Sequence, residues 1–403
     1  MAYLPLANIL HHKMRSMLSA FGIGIGICML VTLSGLARGS LFEIADRWES
    51  VDADLIVYPR GWGDNAANKS GAELSDRLAT VIAQRHADRV QRVVPVFLRT
   101  MKLGGQDQMV AGVDPIQWSV LTGGRDLSEG RLFDPQGRFA AWIEKQLLTP
   151  GDDEIVDFTQ ADLSDPAHNG LELVIDARLA GAGGYRTGQM VSAANHQWRI
   201  VGIVPTGAMT RVFMPRRTAQ YLFGSGLITR STVMFVKLRP GADIGPAARA
   251  IEQTAHERVV PLSDYRGMLI ERFGIMFVYV DAVNVIALVI AFLFMMTTLH
   301  TTVLQQHREI AILRANGASR AFVLRQVLGE SILITAAGLA VGLCLSLAAA
   351  WLVETCRPLL TVTITWYWVA IAACVSLVGS VLSALYPAWL ATRVDIVEAL
   401  SFE

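Results

Sequence analysis

Four stretches of this chain carry no charged side chain and are long enough to cross a bilayer, and no other feature restricts its fold as much. They run from Met17 to Ala37, Ala282 to Leu299, Ser331 to Val353 and Pro358 to Thr392. At about 1.5 Å of rise per helical residue, roughly 20 residues cross a hydrocarbon core of about 30 Å. Each stretch is therefore predicted to be a transmembrane helix. The composition agrees, with 52% hydrophobic and 17% charged residues and a mean hydropathy of +0.40, values unusual for a soluble chain of this length.

A formal net charge of zero conceals a segregation of the basic residues. Lys13 and Arg15 precede the first run, Arg308, Arg314, Arg320 and Arg325 lie between the second and third, and Arg393 follows the fourth. Lys and Arg in short flanks mark the cytoplasmic side, so both termini are predicted to be cytoplasmic. The first run exceeds the roughly 7 to 15 apolar residues of a signal peptide and reads as an uncleaved anchor.

That topology puts the segment between the first and second runs outside the cytoplasm. It contains no cysteine, since Cys28, Cys344 and Cys374 lie within spans and Cys356 just beyond the third. Its fold must rest on its own core rather than on disulfides. DADLIVYP, starting at Asp52, reads as a strand, and GAELSDRLATVIAQRHADRV as a helix with Leu74, Leu78 and Ile82 at helical spacing. VQRVVPVFLR and QMVAGV read as strands turning at Gly104 and Gly105. A second strand and helix, STVMFVKL and PGADIGPAARAIEQTAHERV, follow near the far end.

The predicted fold class is a membrane protein with four transmembrane α-helices, one and then three, and a large extracytoplasmic α+β domain between spans 1 and 2. Its parts are an amphipathic interfacial helix at 1–16, the first span at 17–39 and the extracytoplasmic domain at 40–270, with a β-rich subdomain inserted at about 120–225. A stalk and second span at 271–304, a cytoplasmic coupling loop at 305–330, spans at 331–353 and 359–390 and a tail at 391–403 complete it. Gly22 and Gly26, Gly35 and Gly39, Gly338 and Gly342, and Gly379 and Ser383 are pairs of small residues four apart. Such pairs let helix backbones approach closely and are predicted to mark helix packing, within the chain or in a dimer.

Motifs of catalysis are missing from the sequence. It has no G-x-x-x-x-G-K-[ST] loop to cradle ATP, no H-E-x-x-H or C-x-x-C pair to hold zinc and no G-x-S-x-G elbow. The Gly-rich GAGGYRTG from Gly181 to Gly188 precedes no helix and reads as a turn. His11 and His12 diverge on a helix, and Asp281 reads as a solvated residue near the interface, so no metal, cofactor or catalytic residue is assigned.

The segment between the second and third runs is helix-prone and basic. Ile310, Ala311 and Leu313 form an apolar side against Arg308, Glu309 and Arg314; Gly317 suits a left-handed cap and Ser319 suits the start of the next helix. The sequence REIAILRANGASRAFVLRQVLGESIL resembles the loop between spans 2 and 3 of the FtsX and MacB superfamily of ABC transporter permeases. PAWLATRVDIVEALSFE is similar to that superfamily's C-terminal signature, with Ile396 where proline is usual, and ANILHHKMRSMLSAFGIGIGI is similar to its opening.

The resemblance implies a permease subunit, not itself an enzyme, that moves its outer domains by mechanotransmission. Arg308, Glu309, Ile310, Leu313, Arg314, Gly317, Ala318 and Ser319 would couple it to an ABC ATPase. The apolar face of the loop is expected to supply the contact area. ATP and Mg would be bound by that ATPase, a separate polypeptide as in FtsX-like and LolC/LolE-like members. A second permease subunit, identical or paralogous, a membrane-fusion adaptor and membrane lipids are the further expected partners; nucleic acid is not. The expected location is the bacterial inner membrane, and the expected function is export of a lipid, lipoprotein, peptide or drug-like substrate. The alternative is an FtsX-like regulator of a cell-wall hydrolase.

Overall fold

The computed structural model describes residues 13–60, 73–133, 171–224, 229–305 and 307–392. Most of the expected interfacial helix and nearly all of the C-terminal tail lie outside these residues. The chain divides into two units, one of residues 42–272 and one of residues 1–41 with 273–403.

Helix α1, Lys13–Glu49, contains the first span, and its last turns belong to the 42–272 unit. That unit continues with β1 (Leu55–Tyr58), β2 (Leu74–Ser75), α2 (Arg77–Arg85), β3 (Val90–Leu103), β4 (Gln106–Val113), α3 (Trp118–Leu121) and β5 (Glu129–Gly130). After residue 170 follow β6 (Glu172–Asp176), α4 (Ala177–Gly183), β7 (Met190–Ala193), β8 (His196–Val204), β9 (Val212–Pro215) and α5 (Arg216–Phe223). It closes with β10 (Arg230–Ser231), β11 (Val233–Leu238), α6 (Ile244–Ala255), β12 (Arg258–Pro261) and α7 (Tyr265–Arg272).

One ten-stranded sheet runs through the unit in the order β12-β1-β11-β3-β4-β9-β6-β8-β5, with β7 paired to β8. The long strand β3 serves two neighbours in succession. Its first half pairs antiparallel with β11, from Val90 opposite Leu238 to Val96 opposite Val233. Its second half pairs with β4, from Phe97 opposite Gly112 to Leu103 opposite Gln106. The strands within 120–225 thus continue the same sheet. They do so through parallel pairing of β4 with β9, antiparallel pairing of β9 with β6 and parallel pairing of β6 with β8; the two parallel pairs require long connections and leave no local trace in the sequence. Helices α2 and α6 cover the β1/β11 end, where Leu55, Val57, Ile82, Met234, Val236 and Ile251 form the core.

The other unit holds α8 (Gly274–Gln305), α9 (His307–Ala315), α10 (Arg320–Cys356) and α11 (Trp366–Thr392). With α1, helices α8, α10 and α11 are long and apolar enough to cross a membrane. In hydrocarbon a helix satisfies its own backbone, so such segments have no alternative to helix except a closed barrel. Ile23, Ile27, Leu30, Val31, Met295 and Ile334 form the interior of the bundle, whereas Val285, Ile286, Val289 and Ile290 of α8 stay exposed, as a face in contact with lipid requires.

Backbones touch where α1 meets α10. A Cβ on Gly342 would stand 2.8 Å from the carbonyl oxygen of Gly24, and one on Gly338 would stand 2.9 Å from Ile23. Gly22 and Gly26 face Phe294 and Ala291 of α8, and Gly35 and Gly39 face the backbone at Thr361 and Thr363. Gly379 meets only Phe292, at an ordinary 3.7 Å, and buried Ser383 donates to the Ser380 carbonyl at 2.9 Å. Asn284 is buried and donates to Ser34 Oγ at 2.9 Å, while Asp281 is exposed on α8, so the two do not form a polar pair.

Candidate functional site

The segment that carries the family resemblance forms a helical elbow. After α9 the chain turns through Gly317, whose φ of +92° lies in the region that only glycine adopts without strain. The Ala318 amide donates to the Leu313 carbonyl at 3.0 Å and closes the turn. Ser319 Oγ then accepts from the Phe322 amide at 3.2 Å and caps α10. From there α10 continues unbroken into the third span. The expected loop at 305–330 is therefore largely helix, because Arg320, Arg325 and Glu330 need only lie beyond the hydrocarbon and need not interrupt the helix.

The elbow does not present its apolar residues as a single face. Ile310, only 6% exposed, and Ala311 pack on Val303, Val323, Val327 and Ala388. This corrects the expectation that Ile310 offers contact area to a partner: its side chain holds α9 against the ends of the neighbouring helices. Leu313 and Ala318 are half-buried, whereas Asn316, Gly317, Ser319 and Arg320 are exposed. The large apolar residue left outward is Ile312, at 45% exposure. Arg308, Glu309 and Arg314 lie on the backbone of α9, and their side chains fall outside the described residues.

A second arrangement lies within the 42–272 unit, at the end of α1. Arg47 donates to Asp176 at 3.0 Å and to Glu43 at 2.9 Å, and Glu43 also accepts from Arg211 at 2.9 Å and Arg178 at 3.2 Å. Asp176 is fully buried and caps α4 through the Leu179 amide at 2.7 Å. On the opposite side Arg266 of α7 pairs with Asp46 and Glu49. Trp48 stacks on Tyr265, with centroids 4.7 Å apart and planes 2° from parallel. Burial pushes the Tyr265 phenol up, opposed by Arg272 and assisted by Tyr58. The end of α1 is thereby fixed both to the β6–α4 region and to α7, which leads towards the second span. The sequence hints at this only through Glu43 and Arg47, one helical turn apart.

Among the described residues, no cluster of three or more His, Cys, Asp or Glu is arranged to hold a metal. An apolar cleft of about 330 Å³ opens in the membrane bundle, lined by residues that include Ile27, Val289, Phe292, Met295 and Gly379.

These features define a multi-pass membrane protein with an α+β domain inserted between its first two spans. The chain belongs to the MacB/FtsX family of ABC transporter permeases: a model described as MacB-like periplasmic core domain matches residues 16–254, and one described as FtsX-like permease C-terminal matches residues 282–396. The macrolide export ATP-binding/permease protein MacB of Agrobacterium fabrum is 24% identical over 98% of this chain and 59% of its own length. The protein of the same name from Shewanella oneidensis is 25% identical over 97% of this chain and 59% of its own length. This chain thus spans 59% of the length of these relatives. The crystal structure of the periplasmic region of MacB from Actinobacillus actinomycetemcomitans aligns at 13% identity with a TM-score of 0.35, over 55% of this chain and 94% of that one.

Proposed function

We propose that this chain is the permease subunit of an exporter in the bacterial inner membrane, powered by a separate ABC ATPase subunit that binds ATP and Mg. The observation that carries this reading is the elbow of α9 and α10, which holds exposed Ile312, Arg320 and Arg325 between two membrane helices. Ile312, Asn316, Ser319 and Arg320 form the contact, with Arg308, Glu309 and Arg314 as candidate orienting charges. Burial of an apolar knob supplies most of the affinity in such contacts, and rim charges select the partner.

Closure of the ATPase on ATP moves the elbow and with it α8 and α10. The movement reaches the 42–272 domain through α1 and through the passage from α7 to α8, the two chain segments that enter that domain. Basic residues at Lys13, Arg15 and Arg320 support cytoplasmic termini and a cytoplasmic elbow. The relatives' name, macrolide export, supports the drug-like class of substrate; a lipid, lipoprotein or peptide handled on the outer side rests on the family resemblance alone. A second permease subunit and a membrane-fusion adaptor complete the assembly.

The test is affinity purification of the full chain in mild detergent, with identification of the chains that accompany it. An ABC ATPase at equal stoichiometry is expected. Recovery of the permease with no ATPase, under conditions that preserve its fold, contradicts the reading.

A further inference from the structure

Arg38 directly follows the uncharged run of α1 and is half-buried where that helix leaves the hydrocarbon. Its guanidinium carbon lies 4.9 Å from the ring centroid of Phe277 and 4.7 Å from that of Trp368. These rings sit in the first turns of α8 and α11, so three spans converge on one cation. The loop before α11 is tied to α1 on either side of Arg38: the Thr363 amide donates to the Gly35 carbonyl at 3.2 Å, and Ser40 Oγ donates to the Thr361 carbonyl at 3.3 Å.

The guanidinium carbon lies over both rings, and a ring face does not replace an oxygen acceptor for the guanidinium N–H groups. Among the described residues Arg38 donates no hydrogen bond and forms no ion pair, although the exposed carboxylate of Asp281 lies on the neighbouring α8. An arginine at this depth is ordinarily satisfied by snorkelling to headgroups or by a protein acceptor. Its depth is marked independently by Trp366, Tyr367 and Tyr279, exposed aromatic residues at the same ends of α11 and α8, as in the aromatic belts of membrane interfaces. The abundant acceptor at that level is phosphate, and a planar guanidinium fork suits two phosphate oxygens.

We propose that Arg38, seated on Phe277 and Trp368, is a binding site for the phosphodiester of a phospholipid headgroup in the leaflet on the side of the α+β domain. The assignment does not depend on which side of the membrane is cytoplasmic, nor on the export reading. Two headgroup oxygens accept from the guanidinium edge while the rings fix its plane. An anionic lipid binds best, because the amine of a zwitterionic one competes for the same phosphate.

The test uses the full chain in nanodiscs containing phosphatidylglycerol, with native mass spectrometry to count lipids retained on transfer to detergent. Arg38→Gln is expected to lower phosphatidylglycerol retention on the order of tenfold, and Arg38→Lys to retain an intermediate amount because it keeps the charge and loses the fork. Trp368→Leu keeps the cation and loses one ring; a fall of about threefold is expected, and this variant keeps the proposal testable if Arg38→Gln fails to insert. Unchanged retention in the inserted Arg38→Gln or Trp368→Leu variant overturns the site. Displacement of the lipid by millimolar inorganic phosphate makes free phosphate the ligand and overturns the lipid assignment. Equal retention of phosphate-free diacylglycerol overturns it as well.

Discussion

Arg47 and Asp176 lie 129 positions apart in sequence, yet the Arg47 guanidinium donates to the buried Asp176 carboxylate at 3.0 Å. This contact fastens the end of the first membrane helix to the inserted part of the α+β domain. On the opposite side Arg266 and the Trp48–Tyr265 stack fasten the same turns to α7.

Breaking one side of this joint leaves the buried Arg47 with only Glu43, a carboxylate it already shares with Arg178 and Arg211. Asp176→Ala also removes the cap of α4, so a cost of about 3–5 kcal/mol is expected. In a thermal melt of the full chain in detergent, the transition of the α+β domain should fall by roughly 6–15 °C. A fall within about 2 °C would show that the pair is not part of the domain's support.

The joint could not be read from the sequence, whereas the spans could. Bilayer thickness imposes length and apolarity on every spanning segment, so the four uncharged runs and the elbow motif were visible directly. The hairpin of β3 and β4 was visible too, through Gly104 and Gly105 between two apolar runs. Parallel pairing of β6 with β8 leaves no local trace, and neither does an ion pair between residues far apart in the chain. Ile310 shows a subtler limit. Helical spacing reveals that α9 has apolar residues, but not that Val303, Val323 and Ala388 occupy the side that Ile310 faces.

Alkaline pH should weaken the α+β domain through two groups. Burial raises the Tyr265 phenol above its ordinary 10.0, and the bond to Asp52 raises Lys237 above 10.5, assisted by Asp54 and opposed by burial. In both cases the folded chain holds the proton more tightly than the unfolded chain. Their contribution is complete below the ordinary values and is lost as pH rises through the raised ones. The unfolding midpoint should therefore decline above about pH 10, and Tyr265→Phe, which keeps the stack on Trp48, should flatten the decline. An equal decline in that variant excludes Tyr265 as a source.

Orientation is tested by cysteine labelling. Cys28, Cys344, Cys356 and Cys374 are replaced, and single cysteines are placed at the exposed positions Ser128 and Ser319. An impermeant maleimide applied to intact spheroplasts should modify Ser128→Cys and spare Ser319→Cys. Modification of Ser319→Cys from outside reverses the assigned topology.

The central claim is that the elbow of α9 and α10 is the handle of a separate ATPase, and Ile312 offers the most direct measurement. Ile312→Asp changes an exposed side chain and should leave insertion and thermal stability within about 0.5 kcal/mol of the parent. Loss of one apolar anchor, with a carboxylate in its place, should reduce ATPase recovered with the permease by about tenfold or more. Ile310→Asp is the contrasting variant, expected to lower the stability of the elbow itself because its side chain is buried among Val303, Val323 and Ala388. Co-purification of the ATPase with Ile312→Asp is thus the decisive observation. Near-complete loss with normal insertion is the expected result; full ATPase stoichiometry together with undiminished transport in cells would contradict the account.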